Sequence, residues 1–172
     1  MSNTERHVSR ITIRASIQDV WKELTKTDDV QKAMFNMRLH TDRQEVGGQV
    51  RMRSPDGKWT GVVGEITVWE PPHRYAHTFR FTNFEDPPCT VLYELEEVEG
   101  GVQFTLTADG IPAGTKTAKQ MKSGSDMICK SLKSILETGR LPFGTRLLYT
   151  LFKLMAPMTP KKCRTEHWPL AT

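Results

Sequence analysis

A histidine stands among aromatic residues on a predicted strand near the middle of the chain. The segment 75–81 alternates, so that Tyr75, His77, Phe79 and Phe81 share one face. If that face lines an internal cavity, the imidazole of His77 can act as a general base or hydrogen-bond a polar group of a ligand. A packed, hydrogen-bonded histidine in the wall is the alternative, and the residue pattern allows both.

Glu65, on the preceding predicted strand, is the candidate acid–base partner of this histidine. If Trp69 pairs with Tyr75, then Glu65 lies diagonally across from His77 on the same face. A buried carboxyl near an imidazole has a perturbed pKa and marks a functional site. A slip of one residue turns the carboxylate to solvent instead. That opposite register is favoured by the most apolar residues of the strand: Val62, Ile66 and Val68.

Other kinds of reactive site lack support in the sequence. His73 and His77 lie four residues apart, which on a strand is about 13 Å and too far for one metal ion. The three cysteines are widely spaced and form no CxxC pair, so neither a disulfide framework nor a cysteine zinc site is expected. Nucleophile-elbow, Walker and dinucleotide motifs do not occur. We therefore expect no metal, no cofactor and a reduced, cytoplasmic protein.

The elements that position these side chains are mostly strands. Val8 opens an alternating segment, and Ser16 with Asp19 then resembles a capping box that begins a short helix. Thr27 begins a second short helix that ends near Phe35. Alternation and turn residues predict further strands, which pair in an antiparallel meander. The predicted strands cover about residues 8–15, 50–52, 59–70, 75–81, 90–98 and 102–108.

A long amphipathic helix follows the strands. Between residues 117 and 138 the apolar and small side chains fall within an arc of about 120°, and Gly139 ends the helix. Gly124 and Ser125 make the apolar face thin near its middle. Small residues there permit either close packing on the sheet or a cavity.

The C-terminal tail carries a second amphipathic helix over residues 142–155. Pro142 begins it and Pro157 stops it. Its apolar side chains fill an arc of about 160°, so it must cover something. Three alternatives are open: the domain's own surface, where the second apolar face of strand 59–70 needs cover, a homodimer interface, and an anionic membrane surface. The apolar side chains are Leu147, Leu148, Leu151, Phe152, Leu154 and Met155.

The net charge of +4 is unevenly distributed along the chain. Residues 1–109 hold 13 basic and 17 acidic side chains, whereas residues 110–172 hold 11 basic and three acidic ones. The basic residues lie on the outer face of the long helix and in the tail, and aromatic residues are not interleaved with them on a strand. We expect a solvated helix face and no nucleic-acid partner. No apolar stretch is long enough to span a membrane.

The ordered set of these elements resembles the helix-grip fold of the START and SRPBCC superfamily, and is most similar to the family of the activator of the Hsp90 ATPase. The resemblance covers about residues 8–139, which predicts a domain over residues 1–139 and a helical extension over residues 140–172. One departure is Met34-Phe35, where the family often has tryptophan. The matching segments are Ile13-Arg14-Ala15-Ser16, Val20-Trp21, Leu24-Thr25, Gly47-Gly48, Asp56-Gly57, Gly64-Glu65-Ile66, Pro71-Pro72-His73-Arg74-Tyr75, Leu132-Lys133 and Leu136-Glu137-Thr138-Gly139.

The resemblance implies an α+β protein in which a curved seven-stranded antiparallel sheet grips the long helix around a cavity. It also implies that Glu65 faces inward. The expected function is binding of a small apolar ligand, such as a lipid, a polyketide or an aromatic molecule. A polyketide cyclase or dehydratase that uses His77 or Glu65, and a co-chaperone or other protein-interaction module, are the alternatives. The expected ligand-binding residues are Trp21, Phe35, Met52, Trp69, Tyr75, His77, Phe79, Tyr93, Phe104, Ser125, Ile128 and Leu132, and Trp59 is a further candidate.

Overall fold

A computed structural model describes residues 3–171 and has the expected α+β helix-grip architecture. All seven strands pair antiparallel in one sheet, in the order β1-β7-β6-β5-β4-β3-β2. The strands are β1 (Thr4–Ile13), β2 (Arg38–His40), β3 (Gln49–Arg53), β4 (Thr60–Glu70), β5 (Arg74–Phe81), β6 (Cys89–Val98) and β7 (Gly101–Pro112). The helices are α1 (Ile17–Thr25), α2 (Lys116–Thr138) and α3 (Phe143–Met155), followed by short 3-10 turns at Ala156–Met158, Lys161–Cys163 and Thr165–His167.

The predicted capping box begins α1. The hydroxyl of Ser16 accepts a hydrogen bond from the backbone N–H of Asp19 at 3.1 Å and donates one to the Asp19 carboxylate at 2.7 Å. This arrangement satisfies a free N–H group at the helix start and places a negative charge at the positive end of the helix dipole. Ile17, Val20 and Leu24 form the buried face of α1, which packs against β6, β7 and α2.

The second short helix expected before Phe35 does not form. Residues 31–37 make a turn instead, closed by a bridge between Gln31 and Met37. Phe35 and Asn36 adopt φ values of 56° and 57°, in the left-handed region that an α-helix cannot use. The side-chain amide of Gln31 is buried and donates to backbone carbonyls at the end of α1 and just after it, which holds the turn against that helix.

Helix α2 packs mainly on β1 and β7. Thr115 caps its N-terminus, and Gly139, with a φ of 72°, ends it where the sequence predicts. Phe104 of β7 and Leu132 of α2 are fully buried in the core. Because α2 has the largest apolar face of the helices that contact the sheet, it defines the second layer of the molecule.

A loop carboxylate ties the start of α2 to the loop between β5 and β6. Asp86 accepts hydrogen bonds from the backbone N–H and the hydroxyl of Thr117, at 3.0 and 2.8 Å. We expect Asp86→Ala to lower the free energy of unfolding by about 1–2 kcal/mol, because a helix N-terminus loses its anionic partner. Urea denaturation measures the difference. Glu85→Ala, which removes the neighbouring exposed carboxylate, is the control, and equal losses in the two variants would contradict the assignment.

The tail runs across the molecule and continues past α3. Tyr149 donates to the carbonyl of Lys32 at 2.7 Å, and this bond holds α3 beside the 31–37 turn. Farther along, the ring of Trp168 lies 5.2 Å from the Arg80 guanidinium, and its carbonyl accepts a hydrogen bond from Arg53. The segment after α3 therefore covers part of the face of β3–β5 opposite the core. Helix α3 thus packs on the domain's own surface, at the 31–37 turn and beside Ser131 of α2, which agrees in part with the first of the three alternatives.

Candidate functional site

A cavity of about 590 Å³ lies between the sheet, the middle of α2 and the tail. Its walls include Gly124 and Ser125, the small residues at which the face of α2 is thin. Asn83, Gln120 and Met158 also line it and are exposed, so the cavity opens to solvent beside the tail. The expected ligand-binding residues that line it are Phe35, Met52, Tyr75, His77, Phe79, Tyr93, Ser125 and Ile128, together with Trp59.

Four expected site residues lie outside the cavity wall. The rings of Trp21 and Trp69 meet edge to face, with centroids 5.2 Å apart. Trp69 packs in the same way on Tyr75, also at 5.2 Å. Phe104 stacks on Tyr93 at 6.1 Å, and Leu132 is fully buried in the core. Trp69 and Phe104 therefore support wall residues from behind, and none of the four side chains lines the cavity in this structure.

Several residues of the cavity wall were not predicted from the sequence. Phe81 shares the face of His77, so alternation alone could have identified it. Met34 and Met37 come from the turn that replaces the second short helix, and that turn has no periodic signal. Phe152 and Met155 belong to the tail helix, whose position next to the cavity depends on tertiary packing. Thioether and aromatic side chains make this part of the wall adaptable.

The register of β4 and β5 turns Glu65 to solvent, which corrects the expectation that it faces inward. Trp69 does pair with Tyr75, as the expectation required. A bulge at Thr67 then shifts the pairing, so that Ile66 lies opposite His77. A bulge adds one residue to a strand and reverses the faces beyond it. Glu65 is exposed, and it therefore cannot be an acid–base partner in the cavity.

The buried imidazole of His77 has a defined tautomer. It is only 4% exposed, and its Nδ1 lies 2.7 Å from the carbonyl oxygen of Thr78. Because a carbonyl only accepts, Nδ1 carries the proton and Nε2 has a free lone pair. Gly64 makes room for this bond, since a Cβ there would collide with the Thr78 carbonyl. Burial lowers the pKa of His77 to about 4, although the Thr78 carbonyl acts in the opposite direction, so the ring is neutral at pH 7.

Two tyrosines flank this histidine in the wall. The ring centroids of Tyr75 and Tyr93 lie 5.3 and 5.9 Å from that of His77. Burial raises the pKa of both phenols, so both stay neutral and can donate a hydrogen bond. The described wall residues include no Lys, Arg, Asp or Glu. The cavity therefore offers aromatic surface with a few neutral polar groups, which suits a mostly apolar, uncharged ligand.

Two other kinds of site receive no support. Across residues 3–171, no three His, Cys, Asp or Glu side chains come close enough together to hold a metal ion. None of the described helices has the length and apolar character needed to cross a bilayer. The titratable side chains among the described wall residues are His77, Tyr75, Tyr93 and Cys163.

Comparisons with known proteins agree with this architecture. The crystal structure of MLL2253 from Mesorhizobium loti superimposes with a TM-score of 0.65 at 18% identity, over 80% of this chain and 100% of that one. The solution structure of the Aha1 dimer from Colwellia psychrerythraea gives 0.63 at 19% identity, over 79% and 98%. DynU16, a protein in the dynemicin biosynthetic locus, gives 0.64 at 22% identity, over 79% and 48%. No curated protein matches the chain significantly.

The family itself follows from a sequence profile. The profile described as activator of Hsp90 ATPase homolog 1-like protein matches residues 14–137, which run from the end of β1 to the end of α2. That span contains the other six strands and the long helix up to its last residue, and it omits β1 and the tail. The chain belongs to the family of activator of Hsp90 ATPase homolog 1-like proteins.

Proposed function

We propose that this protein binds a small, uncharged, mostly apolar molecule in the cavity between the sheet and α2. The observation that carries the proposal is the wall itself: aromatic and methionine side chains surround a space of about 590 Å³, and its polar groups are neutral. A volume of a few hundred Å³ is typical of pockets for drug-sized ligands. Burial of apolar area supplies the affinity, at about 25 cal/mol per Å².

The arrangement of the wall favours a flat aromatic ligand with a hydroxyl group. Tyr75, His77 and Tyr93 present their rings side by side, and aromatic rings stack well on such a surface. The free Nε2 of His77 accepts a hydrogen bond from the hydroxyl.

A comparison of two ligands that differ by one hydroxyl tests this assignment. We expect His77→Phe to weaken the binding of 2-naphthol about two- to tenfold, because one neutral hydrogen bond is lost. The affinity for naphthalene should not change, because the aromatic area of the wall is kept. Displacement of the fluorophore N-phenyl-1-naphthylamine measures both Kd values, and thermal melting checks folding. An equal rise in the Kd values of both ligands would contradict the proposed hydrogen bond to Nε2 of His77. The proposed function would be contradicted if the protein does not bind the fluorophore and native mass spectra of the purified protein show no bound small molecule.

The alternative of acid–base catalysis has weaker support. A base whose pKa is about 4 takes protons poorly at pH 7, and Glu65 lies on the far face of the sheet. A cyclase or dehydratase would have to rely on His77 alone among the expected pair. Turnover of a polyketide substrate that is lost in His77→Phe would favour this alternative over simple binding.

The proposal also includes a domain boundary, a cellular compartment and a possible protein partner. We place the boundary at Gly139, where α2 ends and the family profile has just stopped. Cys89, Cys129 and Cys163 are free and buried, which fits a reducing compartment such as the cytoplasm. The family name and the Aha1 dimer keep a co-chaperone or homodimer role as alternatives.

A further inference from the structure

Helix α3 and the turn after it expose a row of large apolar side chains. They are spaced four, four, three and four residues apart, which places them on one face. The opposite face holds Thr145, the buried residue of α3, and Phe152 at the cavity. Soluble proteins rarely expose so many neighbouring apolar side chains without a partner. This outer stripe consists of Phe143, Leu147, Leu151, Leu154 and Met158, between 49% and 78% exposed.

The charged residues of the segment that carries the outer stripe all have one sign. Residues 138–165 contain six Lys or Arg and no Asp or Glu. Lys162 bonds to Glu85 and Arg164 lies near Glu166, whereas the other four are exposed and form no ion pair with a described residue. At 100° per residue, Arg146 and Lys153 lie along one edge of the stripe. An occupant of this surface must therefore offer apolar volume in its middle and negative charge at its rim.

This charge pattern decides between the occupants. A second copy of the chain would meet the stripe through an isologous interface, in which each copy presents the same surface. The basic edges of the two copies, which hold Arg146 and Lys153, would then lie side by side, and the segment has no carboxylate to pair with them. A bilayer with anionic headgroups supplies both apolar depth and negative charge. We propose that the outer stripe lies in the surface of an anionic membrane, with α3 parallel to that surface.

The proposal is independent of the ligand of the cavity. The four stripe residues on α3 do not line the cavity, whereas Phe152 and Met155 on the same helix, and Met158 at the end of the stripe, do. The protein without a ligand should therefore bind membranes as well as the loaded protein does. Membrane docking places the cavity directly behind the docked helix, so an apolar ligand could pass between the bilayer and the cavity if the proposed function holds.

Sedimentation with lipid vesicles tests the docking. We expect the full chain to bind vesicles of phosphatidylcholine with about one quarter phosphatidylserine, and to bind pure phosphatidylcholine at least about tenfold more weakly. Raising NaCl from about 0.05 M to about 0.5 M should weaken binding similarly, because salt screens the basic rim. The double variant Leu147→Gln with Leu154→Gln should lose at least about tenfold in partitioning at an unchanged melting temperature, since both side chains are exposed.

Matched variants distinguish vesicle binding through the outer stripe from nonspecific hydrophobic binding. Val46→Gln removes another exposed apolar side chain, in the loop between β2 and β3, and should bind vesicles as the unchanged protein does. Arg146→Gln with Lys153→Gln should abolish most of the preference for phosphatidylserine. The proposal is overturned if neither vesicle binds, or if the double leucine variant binds as well as the unchanged chain. A dimer in analytical ultracentrifugation that the leucine variant dissociates would also overturn it and assign the stripe to a second copy.

Discussion

Replacing Ser125 with phenylalanine is expected to weaken binding of N-phenyl-1-naphthylamine at least about 100-fold, without a loss of folding stability. Ser125 is 3% exposed and lies on α2 at the cavity wall. A phenyl group at this position enters space that the ligand needs. Because the space is already present, the added ring buries apolar area without displacing packed neighbours. The free energy of unfolding should therefore stay equal or rise.

A second serine on the same helix is the matched control. Ser131 is fully buried but lies outside the cavity, beside Thr145 of α3. We expect Ser131→Phe to lower the free energy of unfolding by about 1–3 kcal/mol, because a ring inserted into close-packed surroundings forces neighbours apart. Urea denaturation measures stability, and fluorescence titration measures the probe. Two results would contradict the cavity as the binding site: full probe affinity in Ser125→Phe, or equal destabilisation by both substitutions.

Acidification should cost the protein about 3 kcal/mol of stability through His77 alone. Burial lowers the pKa of this imidazole from 6.5 to about 4, so the unfolded chain takes up the proton first as pH falls. The stabilisation is complete above pH 6.5 and is lost progressively between pH 6.5 and pH 4. Most of this loss precedes that from carboxylates such as Asp126 and Glu137, whose lowered pKa values place their contribution at still lower pH.

The variant His77→Asn isolates the contribution of His77 to the pH dependence of stability. Its amide N–H can still donate to the Thr78 carbonyl, but the side chain does not titrate. The free energy of unfolding, measured by urea denaturation at several pH values, should fall about 3 kcal/mol less in the variant between pH 6.5 and pH 4. His40 lies partly buried near Arg53 and has a lowered pKa, so some dependence remains in both proteins. His167→Asn, at an exposed imidazole, controls for loss of a histidine, and parallel curves for all three proteins would contradict the buried neutral state.

Local patterns predicted those parts of the fold that depend on neighbours along the chain. Ser16 and Asp19 form the capping box that their spacing predicts, and Gly139 ends α2 in the left-handed conformation that glycine tolerates. Three features depended on contacts between distant segments. The 31–37 turn replaces a predicted helix, β2 is too short for alternation to reveal it, and the bulge at Thr67 reverses the expected face of Glu65.

The candidate site divides in the same way. Alternation placed His77 and its aromatic neighbours on one face, and the small residues of α2 indicated a gap opposite them, because side-chain direction follows from backbone period. Only the tertiary structure decided that Thr78 fixes the imidazole tautomer and that the tail helix borders the cavity. The sequence alone established a helix-grip domain with an aromatic face and an amphipathic tail. Strand register and the position of the tail came from packing across the whole chain, since no local period encodes which distant surfaces meet.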